Sequence, residues 1–281
     1  MEKVYICKFK LAITMSKVII VTGASSGFGK AIAERLAVAG HKVYGICRRA
    51  MGETTGIIYL QGDVRDSRRM AELVEEVYAR EGRIDVLVNN AGMGIGGAIE
   101  LATEEEYRTQ VETNFYGCVN VCQRVLPYMR QQRAGKIINL SSIGGVMGLP
   151  YQGFYSASKF AIEGFSEALS AEVKGFGIQV SMVEPGDFAT NFTASRRNSE
   201  ATLKDPEYGP IFSRSLSLIE KEENGGLKPE KLAKTVEKII NARRPRLRYV
   251  VANLEQWFSV VLKRICPGNW FVDILRSYYK A

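Results

Sequence analysis

The side chains in this chain best equipped for chemistry are Tyr155, Lys159 and Ser142. Tyr155 and Lys159 stand four apart in Tyr155-Ser156-Ala157-Ser158-Lys159, so on a helix they share one face, a turn from each other. An ammonium near a phenol favours the phenolate and lowers the pKa of that tyrosine. A tyrosine tuned in this way can exchange a proton with a substrate oxygen near neutral pH. Ser142 follows the apolar run Lys136-Ile137-Ile138-Asn139-Leu140, which reads as a strand. A strand end and a helix start can bring hydroxyl and phenol side by side. Alone, Tyr-x-x-x-Lys is a common surface spacing, and its meaning depends on the elements around it.

Those elements alternate. Strands are predicted over 18–22, 42–46, 57–60, 84–89, 136–140, 179–183 and 247–251, and helices over 29–39, 67–80, 104–129, 155–174 and 229–241. The alternation predicts an α/β fold, a doubly wound Rossmann-type parallel sheet with helices on both faces. Right-handed crossovers place every strand C-terminus, and with them any ligand site, along one edge. Region 187–228 breaks the rhythm. It is polar and holds Pro206, Gly209, Pro210 and Gly225-Gly226, so it reads as an irregular lid over that edge.

Composition bounds the answer. A chain of 281 residues with 46% hydrophobic content builds one large core, and the alternation is read as one domain over 15–252. Residues 1–14 read as an N-terminal extension that is no signal peptide, because Lys8 and Lys10 break its apolar stretch; Met15 is the more usual beginning. No apolar run is long enough to span a bilayer. Five scattered cysteines make no disulfide framework, so a reducing, cytoplasmic setting is expected; Cys118 and Cys122 read as small buried apolar residues. A single histidine, His41, argues against a Ser-His-Asp triad and against histidine-rich metal sites, and no metal is expected. The net charge of +8, with Arg243, Arg244, Arg246 and Arg248 clustered, fits a solvated basic face, an anionic cofactor or a membrane surface; nucleic acid is not the expected partner.

The first strand runs into Thr22-Gly23-Ala24-Ser25-Ser26-Gly27-Phe28-Gly29 and then a helix. Glycines there let the backbone turn tightly and approach a pyrophosphate seated on the helix N-terminus. With this turn, Asp63-Val64, Asn89-Asn90-Ala91-Gly92, Asn114, Ser142, Tyr155-x3-Lys159 and Pro185-Gly186 follow in order. From 18 to 251 the chain resembles the short-chain dehydrogenase/reductase family, in its compact single-domain branch and nearest in character to members acting on hydroxysteroids, retinol and keto-lipids.

The resemblance implies roles. Gly23, Ser25, Ser26, Gly27, Phe28 and Gly29 would hold the dinucleotide phosphates, with Phe28 where Ile or Leu is more usual. Asp63 and Val64 would flank the adenine; Asn90, Ala91 and Gly92 would line the adenosine ribose side and brace the sheet. Lys159 would hold the nicotinamide ribose and bias Tyr155 toward ionisation. Tyr155 would be the general acid in reduction or the base in oxidation, and Ser142 would bond the substrate oxygen. Asn114 would hold a water linking Lys159 to solvent. Pro185, Gly186 and Thr190 would border the nicotinamide. A homodimer or homotetramer through the helices over 104–129 and 155–174 is also implied.

The second strand ends in Cys47-Arg48-Arg49. An acidic residue there would bond the ribose 2′-hydroxyl of NAD(H). Arginine suits a 2′-phosphate, so NADP(H) is the preferred cofactor and NAD(H) the alternative.

Over 253–281 the apolar residues fall in two helical stripes: Leu254, Trp257, Phe258, Val261, Leu262 and Ile265, then Trp270, Phe271, Ile274, Leu275, Tyr278 and Tyr279. This amphipathic tail packs on the protein, walls an apolar pocket, or rests on a membrane surface. The whole reads as an NADP(H)-dependent oxidoreductase interconverting a ketone or aldehyde with an alcohol on a hydrophobic substrate. The alternatives are a non-catalytic dinucleotide-binding regulator and an extended-branch sugar-nucleotide epimerase or dehydratase, whose chains are longer.

Overall fold

The computed structural model describes residues 16–281 except 53, 55 and 191; the expected 1–14 extension lies outside the described residues. Seven strands form one all-parallel sheet: β1 (Val18–Thr22), β2 (Lys42–Cys47), β3 (Ile57–Gln61), β4 (Val86–Asn89), β6 (Gly135–Leu140), β7 (Ile178–Pro185) and β9 (Arg248–Val251). Outside it, β5 (Ile95–Gly96) pairs with β8 (Arg197–Asn198). The main sheet runs in the order β3-β2-β1-β4-β6-β7-β9. The order reverses direction between β1 and β4, which opens a crevice at the C-terminal ends of the strands.

Period-two alternation sets the two faces of the sheet. Val18 and Ile20 of β1 face one layer, with α2 (Ser67–Glu81), α4 (Gly117–Gln132) and α5 (Gly153–Val173). Ile19 and Val21 face the other, with α1 (Gly27–Val38) and α9 (Pro229–Asn241). Each fully buried Ile or Leu of these layers contributes about 1.5–3 kcal/mol of transfer free energy. Cys118 and Cys122 are buried in the first layer, and Cys122 Sγ accepts a hydrogen bond from Asn89 Nδ2 at 3.1 Å.

Two expectations need correction. The helix expected over 104–129 runs without a break, as α3 (Glu104–Val111), a π-helical turn (Glu112–Tyr116) and α4, so the π-helical turn is what departs from expectation. The turn swings Asn114 inward, where its amide bonds Met93 and Ser158. Region 187–228 is mostly helical rather than irregular: α6 (Phe192–Ser195), α7 (Glu200–Lys204) and the 17-residue α8 (Tyr208–Asn224). The turn-forming residues mark the ends of α8. Pro210 lies in its first turn, where no amide donor is needed, and Gly225-Gly226 follow its last residue.

After β9, α10 (Leu254–Ile265) and α11 (Gly268–Tyr279) form a hairpin. Its inner side chains Val260 and Phe271 pack on Ile143, Met147 and Leu149, just beyond β6. Of the expected stripes, Phe271 is buried and Leu262, Leu275 and Tyr279 pack against this cluster, while seven of the twelve stripe residues stay exposed, so the packing reading holds for part of the stripes only.

Candidate active site

The crevice at the strand ends is a cleft of about 1280 Å³. Nearly every predicted site residue lines it, from the glycine turn through Arg48, Asp63, Asn90, Ser142 and Tyr155 to Thr190. Gly29 and Asn114 stand behind its walls.

At one end, β1 turns into α1. Gly23 and Gly27 have φ of +67° and +52°, a region L side chains rarely adopt. A Cβ on Gly29 would come within 2.3 Å of Gly23 O and 2.4 Å of Asn90 Nδ2, so that glycine serves packing alone. A Cβ on Gly27 would have Thr190 Cβ at 3.9 Å as its only near neighbour among the described residues. The space over Gly27 therefore faces the cleft, and of the three glycines of the turn it is the one whose missing side chain leaves room for a ligand. Ser26, at the N-cap of α1, makes no side-chain cap, which leaves the first amides of the helix free for an anion. The turn itself is braced from β4: Thr22 Oγ1 accepts from the amides of Asn90 and Ala91, each at 3.0 Å, and Asn90 Nδ2 donates to Thr22 O at 2.9 Å. Phe28 meets Phe188 edge-on at 4.9 Å. An open positive-φ glycine, free helix amides and a braced turn fit a dinucleotide pyrophosphate.

At the rim, Arg48 and Arg49 are exposed, and Arg49 Nη2 reaches Ser25 Oγ at 3.4 Å. Asp63 is held below its usual pKa first by its hydrogen bond to Arg65, which grips it bidentately at 2.6 and 3.1 Å. Arg65 also lines the cleft, and the sequence reading missed it.

At the other end, Ser142 starts a short 3-10 turn, its Oγ accepting from Gly144 N at 3.0 Å. Tyr155 lies in the first turns of α5, and the Ser142 hydroxyl stands beside its ring, as the strand-then-helix reading required. Lys159, one turn on, is buried and donates to Leu140 O at 2.8 Å. Burial lowers its pKa to about 8.

The electrostatics differ from expectation. Burial pushes the Tyr155 phenol up, and the carboxylates of Glu223 and Asp187 push the same way; the downward pulls come from Ser142 and Arg196. The Lys159 ammonium, spent on Leu140 O and 5.8 Å from the centre of the ring, is not what lowers it. Asn114 also differs. Its Oδ1 accepts from Met93 N at 2.8 Å and its Nδ2 donates to Met93 O and Ser158 Oγ at 3.0 Å, so the side chain is committed to protein partners.

The residues that sequence reasoning missed come from the lid and the tail. Asp187, Glu222 and Glu223 line the cleft with Phe192, whose ring lies 5.9 Å from that of Tyr155. Asp187 accepts from Gln256 of α10, Glu222 from Tyr278 of α11, and Glu223 from Thr193 at 2.6 Å and from Arg196. Burial, with Glu223 and Glu222 alongside, raises Asp187 to about 7. Tyr279, next to the end of the chain, reaches the cleft as well, so the tail also forms part of its wall. The polar character of 187–228 was the one available signal for the carboxylates.

The chain matches the short chain dehydrogenase family over residues 17–201. It is 52% identical over 263 residues to the 3-ketodihydrosphingosine reductase of Bacteroides thetaiotaomicron, covering 94% of this chain and 98% of that one. It is 34% identical over 252 residues to human 17-beta-hydroxysteroid dehydrogenase type 1, covering 83% and 76%. A solved short-chain dehydrogenase from Streptomyces avermitilis superposes with a TM-score of 0.82 at 33% identity, covering 94% of this chain and 99% of that one. The chain belongs to the short-chain dehydrogenase family. It is an oxidoreductase of that family, acting on alcohol and ketone groups with a nicotinamide dinucleotide.

Proposed function

We propose that this protein is an NADP(H)-dependent reductase of a long-chain ketone with an amine on the neighbouring carbon, the chemistry of a ketodihydrosphingosine. The observation that carries the substrate is the cleft itself. A chain 52% identical to a ketodihydrosphingosine reductase places three carboxylates, Asp187, Glu222 and Glu223, in the cleft that holds Tyr155. A protonated amine beside the reacting carbonyl would meet them, and it would offset the burial and the like-charge crowding that raise Asp187.

The bound dinucleotide supplies the hydride. The chain does the rest. Gly27 and the α1 amides would hold the phosphates, and Arg48 and Arg49 would take the 2′-phosphate at the rim. Ser142 holds the carbonyl oxygen and stabilises the charge that develops there. Tyr155 delivers its proton to that oxygen; burial keeps the phenol protonated until the developing alkoxide needs it. Lys159, held by Leu140 O and lining the same cleft, would hold the nicotinamide ribose. Asn114 keeps the wall behind Lys159 in place, bonding Met93 on one side and Ser158 on the other. A reductase also needs an open route for a long acyl chain, which the apolar Phe192, Ile219 and Leu149 provide along the cleft.

Two further parts of the reading concern assembly and place. Exposed Ile99, Tyr116 and Phe160 lie in or beside the α3–α5 segment, which supports a homodimer or homotetramer through those helices. No helix among the described residues is long and apolar enough to cross a membrane. The scattered free cysteines support a reducing, cytoplasmic setting.

NADPH absorbance followed with the amino ketone and with its deaminated counterpart tests the reading. The expected result is turnover of the amino ketone with a clearly lower KM, and faster turnover with NADPH than with NADH. Tight NADPH binding with no ketone reduced would instead make the protein the non-catalytic regulator.

A further inference from the structure

Of the thirteen large apolar side chains left exposed among the described residues, eight belong to α10 and α11. The patch is therefore local, not the ordinary scatter of a protein surface. On α10 it comprises Leu254, Trp257, Phe258 and Ile265, exposed from 48% to 82%. On α11 it includes Trp270 at 68% and Ile274 at 46%. With Tyr278 these are seven of the twelve residues in the apolar stripes legible in the sequence. An amphipathic helix ordinarily turns such a stripe to the core. Here the hairpin is already seated through Val260 and Phe271, and much of the stripe still points outward.

We propose that the α10–α11 hairpin docks on a lipid bilayer containing anionic lipids, lying in its interface and holding the mouth of the cleft against it. Each helix has 12 residues, about 18 Å, too short to cross the hydrocarbon core and suited to lying in its plane. The exposed face carries both tryptophans of the chain with Phe258 and Tyr278, the aromatic composition of an interfacial anchor. Basic side chains flank it: Lys263, Arg264, Arg276 and Lys280 outnumber Glu255 and Asp273, so the hairpin complements anionic headgroups.

The same hairpin reaches the acidic end of the active site. Gln256 of α10 bonds Asp187, and Tyr279 lines the cleft. Docking would thus bring the acidic end of the cleft close to the headgroup layer, where the polar end of a long-chain ketone lies. The route for the substrate rests on the reading of it as a lipid; the docking surface stands on its own residues.

The experiment is flotation of the full-length protein with phosphatidylcholine vesicles, with and without phosphatidylglycerol, alongside NADPH assays. The wild type should float with the mixed vesicles. Trp257→Glu with Trp270→Glu should weaken flotation about tenfold, keep reduction of a short water-soluble ketone, and slow reduction of the long-chain ketone presented in vesicles. Arg264→Glu with Arg276→Glu should abolish only the preference for phosphatidylglycerol. A wild type that stays in the lipid-free fraction overturns docking, as does equal flotation of the tryptophan variant. So does a wild-type oligomer that the tryptophan variant dissolves, because a second copy would then cover this face. Flotation without reduction of any ketone sinks the proposed function and leaves docking standing; reduction in solution without flotation does the reverse.

Discussion

The two ends of the cleft are built by different means. The nucleotide end is made of backbone: a glycine turn at positive φ, helix amides, and Asn90 and Thr22 bracing them. The carbonyl end is made of side chains from distant parts of the chain: Ser142 after β6, Tyr155 and Lys159 on α5, carboxylates from the lid, and Gln256 and Tyr279 from the tail. The first design tolerates little variation, because steric limits on the backbone dictate it. The second changes with each side chain, and it is where a shared fold acquires its own substrate.

Substitutions at the glycines break this comparison most sharply. Gly29→Ala drives a methyl into Gly23 O and should destabilise the protein by about 3 kcal/mol or more, read as a lower unfolding midpoint without cofactor. Gly27→Ala meets open space and should leave a protein that folds, with a strain cost of about 1 kcal/mol and much weaker dinucleotide binding by titration. Equal loss of stability in both variants would mean the turn has no ligand-facing side.

At the rim, Cys47→Asp with Arg48→Gln should move the ratio of kcat/KM for NADPH over NADH by about ten- to a hundredfold toward NADH. An unchanged ratio contradicts the assignment of Arg48 and Arg49 to the 2′-phosphate.

At the carbonyl end the expected effect is several-fold and depends on pH. Asp187 is pushed up to about 7, so it loses its charge as pH falls through neutrality. KM for the amino ketone should then rise several-fold between pH about 8 and about 6, and KM for the deaminated ketone should not. Asp187→Asn should flatten the profile. A pH dependence shared by both ketones would remove the carboxylates from amine recognition.

The smallest effect concerns the sheet beneath the site. Glu184, fully buried at the end of β7 near Arg248 and Glu163, is raised from 4.5 to about 7 by burial and then by Glu163. The folded state therefore holds this proton more tightly than the unfolded state. The stability it contributes is complete below pH 4.5 and lost as pH rises through about 7. Glu184→Gln should raise the melting temperature by a few degrees near pH about 8 and leave it little changed near pH about 5. A larger gain at the acidic pH would contradict that sign.

How much was legible follows the same division. The glycine turn could be read because positive φ and close packing admit few residues, and Tyr155 and Lys159 because helical spacing fixes their common face. The sheet could be read because both of its faces are buried and its strands are continuous apolar runs. The lid could not: Pro210 and Gly225-Gly226 read as turn residues within a loop, whereas they bound α8. The π-helical turn at Asn114 leaves no mark on apolar periodicity, because a single extra residue shifts the helix face only downstream. Asp187, Glu223 and Tyr279 meet only in three dimensions, and the stripes of the tail did not say which face would stay outside.

The central claim is that Tyr155 delivers a proton to a carbonyl at the end of a dinucleotide cleft. NADPH consumption with the long-chain amino ketone, measured for the wild type and for Tyr155→Phe beside a direct NADPH binding titration, tests it. The account predicts equal NADPH affinity and a rate lower by about 10²- to 10⁴-fold in the variant. Equal rates in both proteins, or NADPH binding with no turnover in either, would contradict it.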